Sequence, residues 1–374
     1  MARIVSLQDV KLLKDLRVIA FKCGLRSELT KTSLLSQLQR HARERGPPSQ
    51  HVRVLSIDMG IKNFSYALLA VPSQADHAER RLPVPAVHAW QNVALQMSSP
   101  GHHVDADATT HEGDTAADYS NQAMAMTASH IVNEHLLPLK PTHILIENQR
   151  SRSASSASVF EWTLRVNKLE AMLFAILTEK RLQGRWNGQI VSMMPRRIAS
   201  FCTKDFVNEY DRAVVKEDST DVGRYAEVVE SLRRAEASSK RKGSKEIKKH
   251  KIDMVGTMLE LGDRLDFPAA ETREKAEAFL RQWINAKAGR KKRSSEDEKT
   301  IKLDDLADSL LQALTWLKWE SNRDILASGD ISPLLEPHAP LDDTDGQSSP
   351  SSKIPKGRRR KATVDDSMPI SAKL

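Results

Sequence analysis

Val52-Arg53-Val54-Leu55-Ser56-Ile57-Asp58-Met59-Gly60 is the stretch on which the fold turns. It is mostly apolar, alternates poorly, and ends in a carboxylate just before a glycine. A run of that kind reads as a strand covered on both faces, at the centre of a sheet. Gly60 breaks it. Phe64-Ser65-Tyr66-Ala67-Leu68-Leu69 then reads as a second strand, and Val87 to Leu95 as a third. Two strands joined by a tight glycine-containing turn and followed by another predict an antiparallel meander.

Toward the C-terminus, residues 98–118 are polar and read as a flexible insertion. Its His102, His103, His111, Asp105 and Asp107 lack a rigid element to fix them as metal ligands. Residues 116–137 read as a helix. Thr142-His143-Ile144-Leu145-Ile146-Glu147 is a second apolar run that ends in a carboxylate. A long helix is predicted over 158–182, with Trp162, Val166, Leu169, Leu173 and Ile176 on one stripe. Ile190-Val191-Ser192-Met193 reads as a fifth strand. The charged stretch 212–250 carries Lys240-Arg241-Lys242 and Lys248-Lys249-His250-Lys251, the latter leading into Val255, Met258 and Leu259 on a helix. Residues 287–300 are basic and then acidic. A last helix begins near Asp304 and carries Leu306, Leu310, Leu311, Leu314 and Leu317. Beyond about 330 the chain is rich in Pro, Ser and Asp and reads as a disordered tail. The order of three strands, helix, strand, helix, strand and further helices predicts an α/β fold: a mixed five-stranded sheet flanked by helices.

Toward the N-terminus, Gly46-Pro47-Pro48-Ser49 works as a linker. Residues 1–46 before it read as a small helical module. Ser6 caps a first helix through Val10, Leu13 and Leu16; Gly24 takes the left-handed cap; Thr30 opens a second helix with Leu34, Leu35 and Leu38. The series Leu16, Ile19, Ala20, Gly24-Leu25, Lys31, Leu34-Leu35 and Leu38 resembles the SAP motif, which binds DNA. A plain helical hairpin packed on the main domain is the competing reading. The organisation expected is thus this module, a main domain over 51–325, and a tail over 330–374.

The chain has 374 residues, of which 28% are charged, with a formal net charge of +8 and a pI near 9.3. That balance points to a polyanionic partner, most often nucleic acid. No run of about 18 apolar residues is present, so no membrane span is expected. The two cysteines, Cys23 and Cys202, suit reduced core residues better than a disulfide framework.

The acids carry the chemistry. Asp58 and Glu147 each end an apolar strand, where a carboxylate is unfavourable unless paired or bound to a metal. Each alone also reads as a turn or strand-end residue. Asp304, Asp305 and Asp308 open the last helix. Caps and the helix dipole favour acids in a first turn, but Asp308 lies a turn deeper and repels the others unless a cation sits between them. Two strand-end carboxylates and a helical acid cluster in a basic chain are what a two-metal nuclease needs. Mg²⁺ or Mn²⁺ prefers oxygen ligands, and a pair of ions can activate water and stabilise the leaving oxygen.

Four stretches then resemble one family. They are Ser56-Ile57-Asp58-Met59-Gly60-Ile61-Lys62-Asn63; Ile146-Glu147-Asn148-Gln149-Arg150-Ser151-Arg152-Ser153; Glu161-Trp162-Thr163-Leu164-Arg165-Val166 with Leu169-Glu170; and Lys302-Leu303-Asp304-Asp305-Leu306-Ala307-Asp308-Ser309. Together, over about residues 52–320, they resemble the fungal mitochondrial Holliday junction resolvases, relatives of bacterial RuvC in the RNase H-like superfamily. The resemblance implies that Asp58, Glu147, Asp304, Asp305 and Asp308 bind Mg²⁺, with Mn²⁺ substituting, and leaves open which of Asp304 and Asp305 is a direct ligand. It implies a homodimer that cuts four-way junction DNA by paired symmetric nicks in mitochondria. Gln149, Arg150 and Arg152 would lie near the junction centre; helix entry and solvated charge are their alternative roles. Lys31, Lys248, Lys249 and Lys251 are further candidates for contact with DNA. A basic residue is commoner in the family where Asn148 stands.

Two alternatives stay open from sequence. One is a non-catalytic DNA-binding protein using the hairpin and the lysines. The other is an RNase H-like nuclease with another nucleic-acid substrate. Residues 1–15 make only a partial mitochondrial presequence because of Asp9 and Asp15, and Arg358-Arg359-Arg360-Lys361 also reads as a nuclear signal.

Overall fold

A computed structural model of the chain describes residues 5–46, 51–71, 84–95, 119–149, 160–202, 244–288 and 302–335. The expectations for 98–118, for Arg150 and Arg152, for Lys240-Arg241-Lys242, for most of 287–300 and for the chain after 335 lie outside these residues.

The meander forms as its sequence predicts. β1 (Val52–Asp58), β2 (Phe64–Val71) and β3 (Ala86–Val93) pair antiparallel in succession. β4 (His143–Glu147) adds parallel to β1, and β5 (Gln189–Met193) parallel to β4. The five-stranded order is β3-β2-β1-β4-β5, with β1 at the centre. This is the RNase H-like arrangement. Val54 to Ile57 are wholly buried, as an apolar strand with a layer on each face must be.

Side chains alternate across a strand with period 2, and here the alternation decides where the acids go. Leu55, Ile57, Ile144 and Ile146 pack in a core under α3 (Asn121–His130) and α4 (Glu161–Leu182). Val54 and Leu145 face the opposite core, built on α5 (Ser244–Leu261), α6 (Ala270–Lys287) and α7 (Leu303–Ser328). Asp58 shares the parity of Val54, and Glu147 that of Leu145. Both carboxylates therefore fall on the α7 side.

Some elements differ from their sequence reading. α4 buries Val166, Leu169, Leu173 and Leu177, whereas Trp162 is 41% exposed. Position 162 lies on the same 3.6-residue stripe, but in the first turn of the helix, where it lines a surface cleft instead of the core. The helix expected through residue 137 is α-helical only to His130, then winds through a π-helical turn at Ile131–Leu136 and a 3₁₀ turn at Leu137–Leu139, with Pro138 lacking an N–H to continue it. α6 has no counterpart among the sequence expectations; Thr272, Ala276, Phe279 and Trp283 line its buried face at helical spacing.

At the N-terminus, Ser6 caps only a 3₁₀ turn (Leu7–Asp9), and α1 spans Leu13–Lys22. Thr30 caps α2 (Lys31–Glu44) by accepting from the Ser33 N–H at 3.4 Å. The hairpin shares its core with the C-terminal end of α7 and the residues that follow it: Leu16, Ile19, Leu34 and Leu38 pack with Leu326, Ile331 and Leu334. Asn322 Nδ2 donates to the Lys22 carbonyl at 2.6 Å, Arg323 Nε to the Cys23 carbonyl at 2.9 Å, and Arg45 Nε to Asp324 Oδ1 at 2.7 Å. Gly24 sits at φ +65°, and a Cβ there would lie 2.2 Å from the Trp319 ring. Only glycine satisfies both the left-handed backbone and that approach. The hairpin and the sheet domain belong to one compact unit. Cys23 and Cys202 are buried and form no disulfide with each other, and among the described residues no helix is long and apolar enough to cross a membrane.

Candidate metal centre and nucleic-acid interface

The β1–β4 ladder runs from Val54 with His143 to Ile57 with Ile146 and stops. Asp58 and Glu147 come next, one at each strand end, and their side chains are hydrogen-bonded to each other. α7 starts over this end of the sheet. Trp90 Nε1 donates to the Leu306 carbonyl at 3.0 Å, and Ser65 Oγ lies 3.1 Å from Ser309 Oγ. From this helix Asp305 and Asp308 join Asp58 and Glu147 in lining a cleft of about 270 Å³. Lys62, Gln149, Trp162 and Lys248 line the same cleft.

The acids perturb one another. Burial, then the charges of Glu147 and Asp308, push the Asp58 carboxyl well above the usual range. Burial raises Glu147, partly offset by the hydrogen bond from Asp58. Burial and then repulsion by Asp304 raise Asp305. Asp304 behaves differently. Burial alone would raise it, but Lys248, whose Nζ is 3.0 Å from Asp304 Oδ2, holds it low. Asp304 is thus tied up on the flank, and Asp305 is the member of the pair that faces the cleft. Lys251 Nζ lies 2.7 Å from Asp308 Oδ1. Burial disfavours that ammonium, but Asp308 outweighs it and keeps the lysine above its ordinary pKa.

Such a donor set fits a hard divalent cation. It is all carboxylate oxygen, it comes from three separate elements, and its members resist ionising together. Among the described residues no group of three or more His, Cys, Asp or Glu is arranged as it stands to hold a metal ion. The acids are instead held by their own hydrogen bond and by lysines, in a cleft that opens on solvent.

Not every residue predicted for DNA contact lies here. Gln149 lines the cleft, and its backbone N–H donates to Glu170 Oε2 at 3.1 Å. Lys248 lines it too. Lys249 is exposed, and Lys31 is exposed on the hairpin, outside the cleft lining. Lys251 turns inward onto Asp308 instead of facing solvent, because the i+3 step from Lys248 along α5 points it at α7. Sequence reasoning assigned no role to Lys62 and placed Trp162 on the core stripe. Lys62 had a signal, a base two residues past the Asp58-Met59-Gly60 turn. Asn92, whose Nδ2 lies 3.4 Å from Asp305 Oδ2, had none.

A mixed sheet of this order, with carboxylates at the adjacent ends of β1 and β4 and on the first turns of α7, defines an RNase H-like protein with an acidic centre. A family model described as mitochondrial resolvase Ydc2 / RNA splicing MRS1 matches residues 54–326, and the chain belongs to that family. It is 28% identical over 273 residues to the mitochondrial cruciform cutting endonuclease 1 of Schizosaccharomyces pombe, covering 72% of this chain and 79% of the relative. It is 22% identical over 329 residues to the protein of the same name from Saccharomyces cerevisiae, covering 82% of each. The crystal structure of the yeast mitochondrial Holliday junction resolvase Ydc2 aligns with a TM-score of 0.49 and 26% identity, covering 85% of this chain and 97% of that one.

Proposed function

We propose that this chain is a mitochondrial, metal-dependent endonuclease that resolves four-way DNA junctions. The family description joins a resolvase with an RNA-splicing activity. The observation that favours the nuclease is the cleft itself, where Asp58, Glu147, Asp305 and Asp308 converge at the edge of a basic protein. A splicing or purely architectural role gives no reason to gather four carboxylates at one strand end against their mutual repulsion.

Asp58, Glu147, Asp305 and Asp308 would hold Mg²⁺, with Mn²⁺ substituting, as a two-metal site. Bound there, the ions supply Lewis acidity toward a water and the leaving oxygen of a phosphodiester. The chain's own residues do the rest. Lys62 and Lys248 place positive charge on the cleft wall, where a DNA phosphate approaches. Asp304 holds the Lys248 ammonium in place. Gln149 is fixed by the Glu170 carboxylate just after the strand that carries Glu147. Selection of junctions over duplexes rests on shape and phosphate contacts, with base contacts secondary. A homodimer would set two such clefts on opposite strands and so nick in pairs. The exposed lysines of the hairpin, Lys31 among them, would add non-specific hold on the arms.

Purified protein, a synthetic four-way junction and a matched linear duplex test this, with Mg²⁺ and with EDTA. Paired symmetric nicks on the junction alone, lost in EDTA, are expected. Tight junction binding with no cutting in Mg²⁺ or Mn²⁺ would overturn it in favour of a non-catalytic DNA binder.

A further inference from the structure

Asp305, Asp308 and Gln312 fall at i, i+3 and i+7, a single stripe along α7. The first two line the acidic cleft. The third sits one turn deeper, 3% exposed. Its Nε2 donates to two backbone carbonyls on different strands: Ile57 of β1 at 3.2 Å and Leu145 of β4 at 3.4 Å. Ile57 immediately precedes Asp58, and Leu145 lies two residues before Glu147. A buried amide in a mostly apolar core is unfavourable unless satisfied, and among the described residues this one donates to the two strands that end in the acids.

The position matters because the β1–β4 ladder ends at Ile57 and Ile146. Past that pair β1 and β4 no longer pair with each other: Asp58 pairs with Ser65 of β2 and Glu147 with Met193 of β5. We infer that Gln312 is a positioning residue that clamps the ends of β1 and β4 from α7, setting the separation of Asp58 and Glu147 for a divalent cation. The inference rests on the proposed metal-dependent function. It explains why an amide stands where the neighbouring helical positions Leu310, Leu311 and Ala313 are apolar. It also ties the acids of α7 to the acids of the sheet through one side chain, so all four move as a unit. Residues that orient metal ligands in this way typically change metal affinity or activity about 10–100-fold when removed.

The test uses the full chain and Gln312→Met, which keeps the volume and removes the donor. Ser309→Ala is the control. It breaks another buried polar contact of α7 with the sheet, Ser65 Oγ to Ser309 Oγ, without touching either strand-end carbonyl. Three quantities are read: the Mg²⁺ concentration that half-maximally raises Tm without DNA, junction Kd in EDTA, and the cleavage rate at saturating junction. Gln312→Met is expected to shift the Mg²⁺ midpoint upward by about tenfold or more and slow cleavage by about 10–100-fold, with junction Kd within about twofold. Ser309→Ala is expected to leave the midpoint in place. A wild-type midpoint and rate in Gln312→Met overturns the inference, and so does an equal midpoint shift in Ser309→Ala, which would mean general loosening of α7. If Gln312→Met is not recovered folded, Gln312→Asn, an amide too short to reach both carbonyls, is read by the same outcomes. A wild-type protein that neither gains stability from Mg²⁺ nor cuts junctions overturns the functional reading itself, and the inference with it.

Discussion

Lys251 Nζ stands 2.7 Å from Asp308 Oδ1, so the acidic cleft carries a cation of its own. Its side chain is 21% exposed and that of Asp308 24%, which places the pair between a weak surface bridge and a fully buried one. The ammonium offsets repulsion that also reaches Glu147 and Asp58. Without metal, Lys251→Met is expected to destabilise the fold by roughly 1–2 kcal/mol, less than the loss from breaking a fully buried pair because water screens this one. Bound Mg²⁺ supplies the missing charge and should narrow the deficit. Thermal melts of both proteins in EDTA and in Mg²⁺ check this. An identical deficit under both conditions would show that lysine and metal do not share the Asp308 carboxylate.

Asp58→Asn should have opposite effects on activity and stability. The Asp58 carboxyl is forced well above the usual range, first by burial and then by Glu147 and Asp308, so the folded state tolerates its charge poorly. The amide is expected to abolish junction cutting and leave junction binding in EDTA intact. It should also stabilise the metal-free protein by about 1 kcal/mol, a rise in Tm of roughly 2–4 °C. Cleavage at the wild-type rate would remove Asp58 from the metal centre.

Gly24→Ala is expected to undock the N-terminal hairpin. The added methyl would lie 2.2 Å from Trp319 and sit on a backbone of φ +65°. Overpacking of this kind destabilises by about 1–3 kcal/mol, and a left-handed non-glycine residue adds about 1–2 kcal/mol. A urea melt gives the stability loss, and limited proteolysis with N-terminal sequencing shows whether residues 5–46 become cleavable first.

Acid should weaken the fold partly through His143. Its ring packs 4.7 Å from that of Trp316, and burial holds its pKa below 6.5. The unfolded chain therefore takes up a proton near pH 6.5 that the folded chain refuses. The stabilisation is complete above that pH and is lost as pH falls through it. Asp58, Glu147 and Asp305 pull the other way: raised in the folded state, they bind protons there first and favour folding as pH drops. The difference between wild type and His143→Gln isolates the imidazole. The gap in Tm is expected to shrink between pH 7.5 and pH 5.5, and a constant gap would refute it.

The sequence by itself determined the sheet and the acids. A strand buried on both faces must be apolar, so β1 and β4 stand out, and their closing carboxylates stand out against them. Period-2 alternation then puts Asp58 and Glu147 on one face, and the caps and acids at Asp304 and Asp305 mark where α7 begins. The family resemblance drawn from these same stretches agrees with the family model that matches residues 54–326. What only the tertiary structure decided is what those acids touch. Lys251 reads as a candidate for contact with DNA until α5 packs on α7 and turns it onto Asp308. Gln312 reads as an ordinary polar interruption until its amide reaches two strands 255 and 167 residues away in sequence. Trp162 leaves the core stripe for the cleft wall, and Gly24 acquires a second reason to be glycine only when Trp319 arrives above it. Periodicity and capping are local, reaching a few residues either way. Which distant side chain settles a buried charge or amide is a property of packing, and packing exists only once the chain has folded.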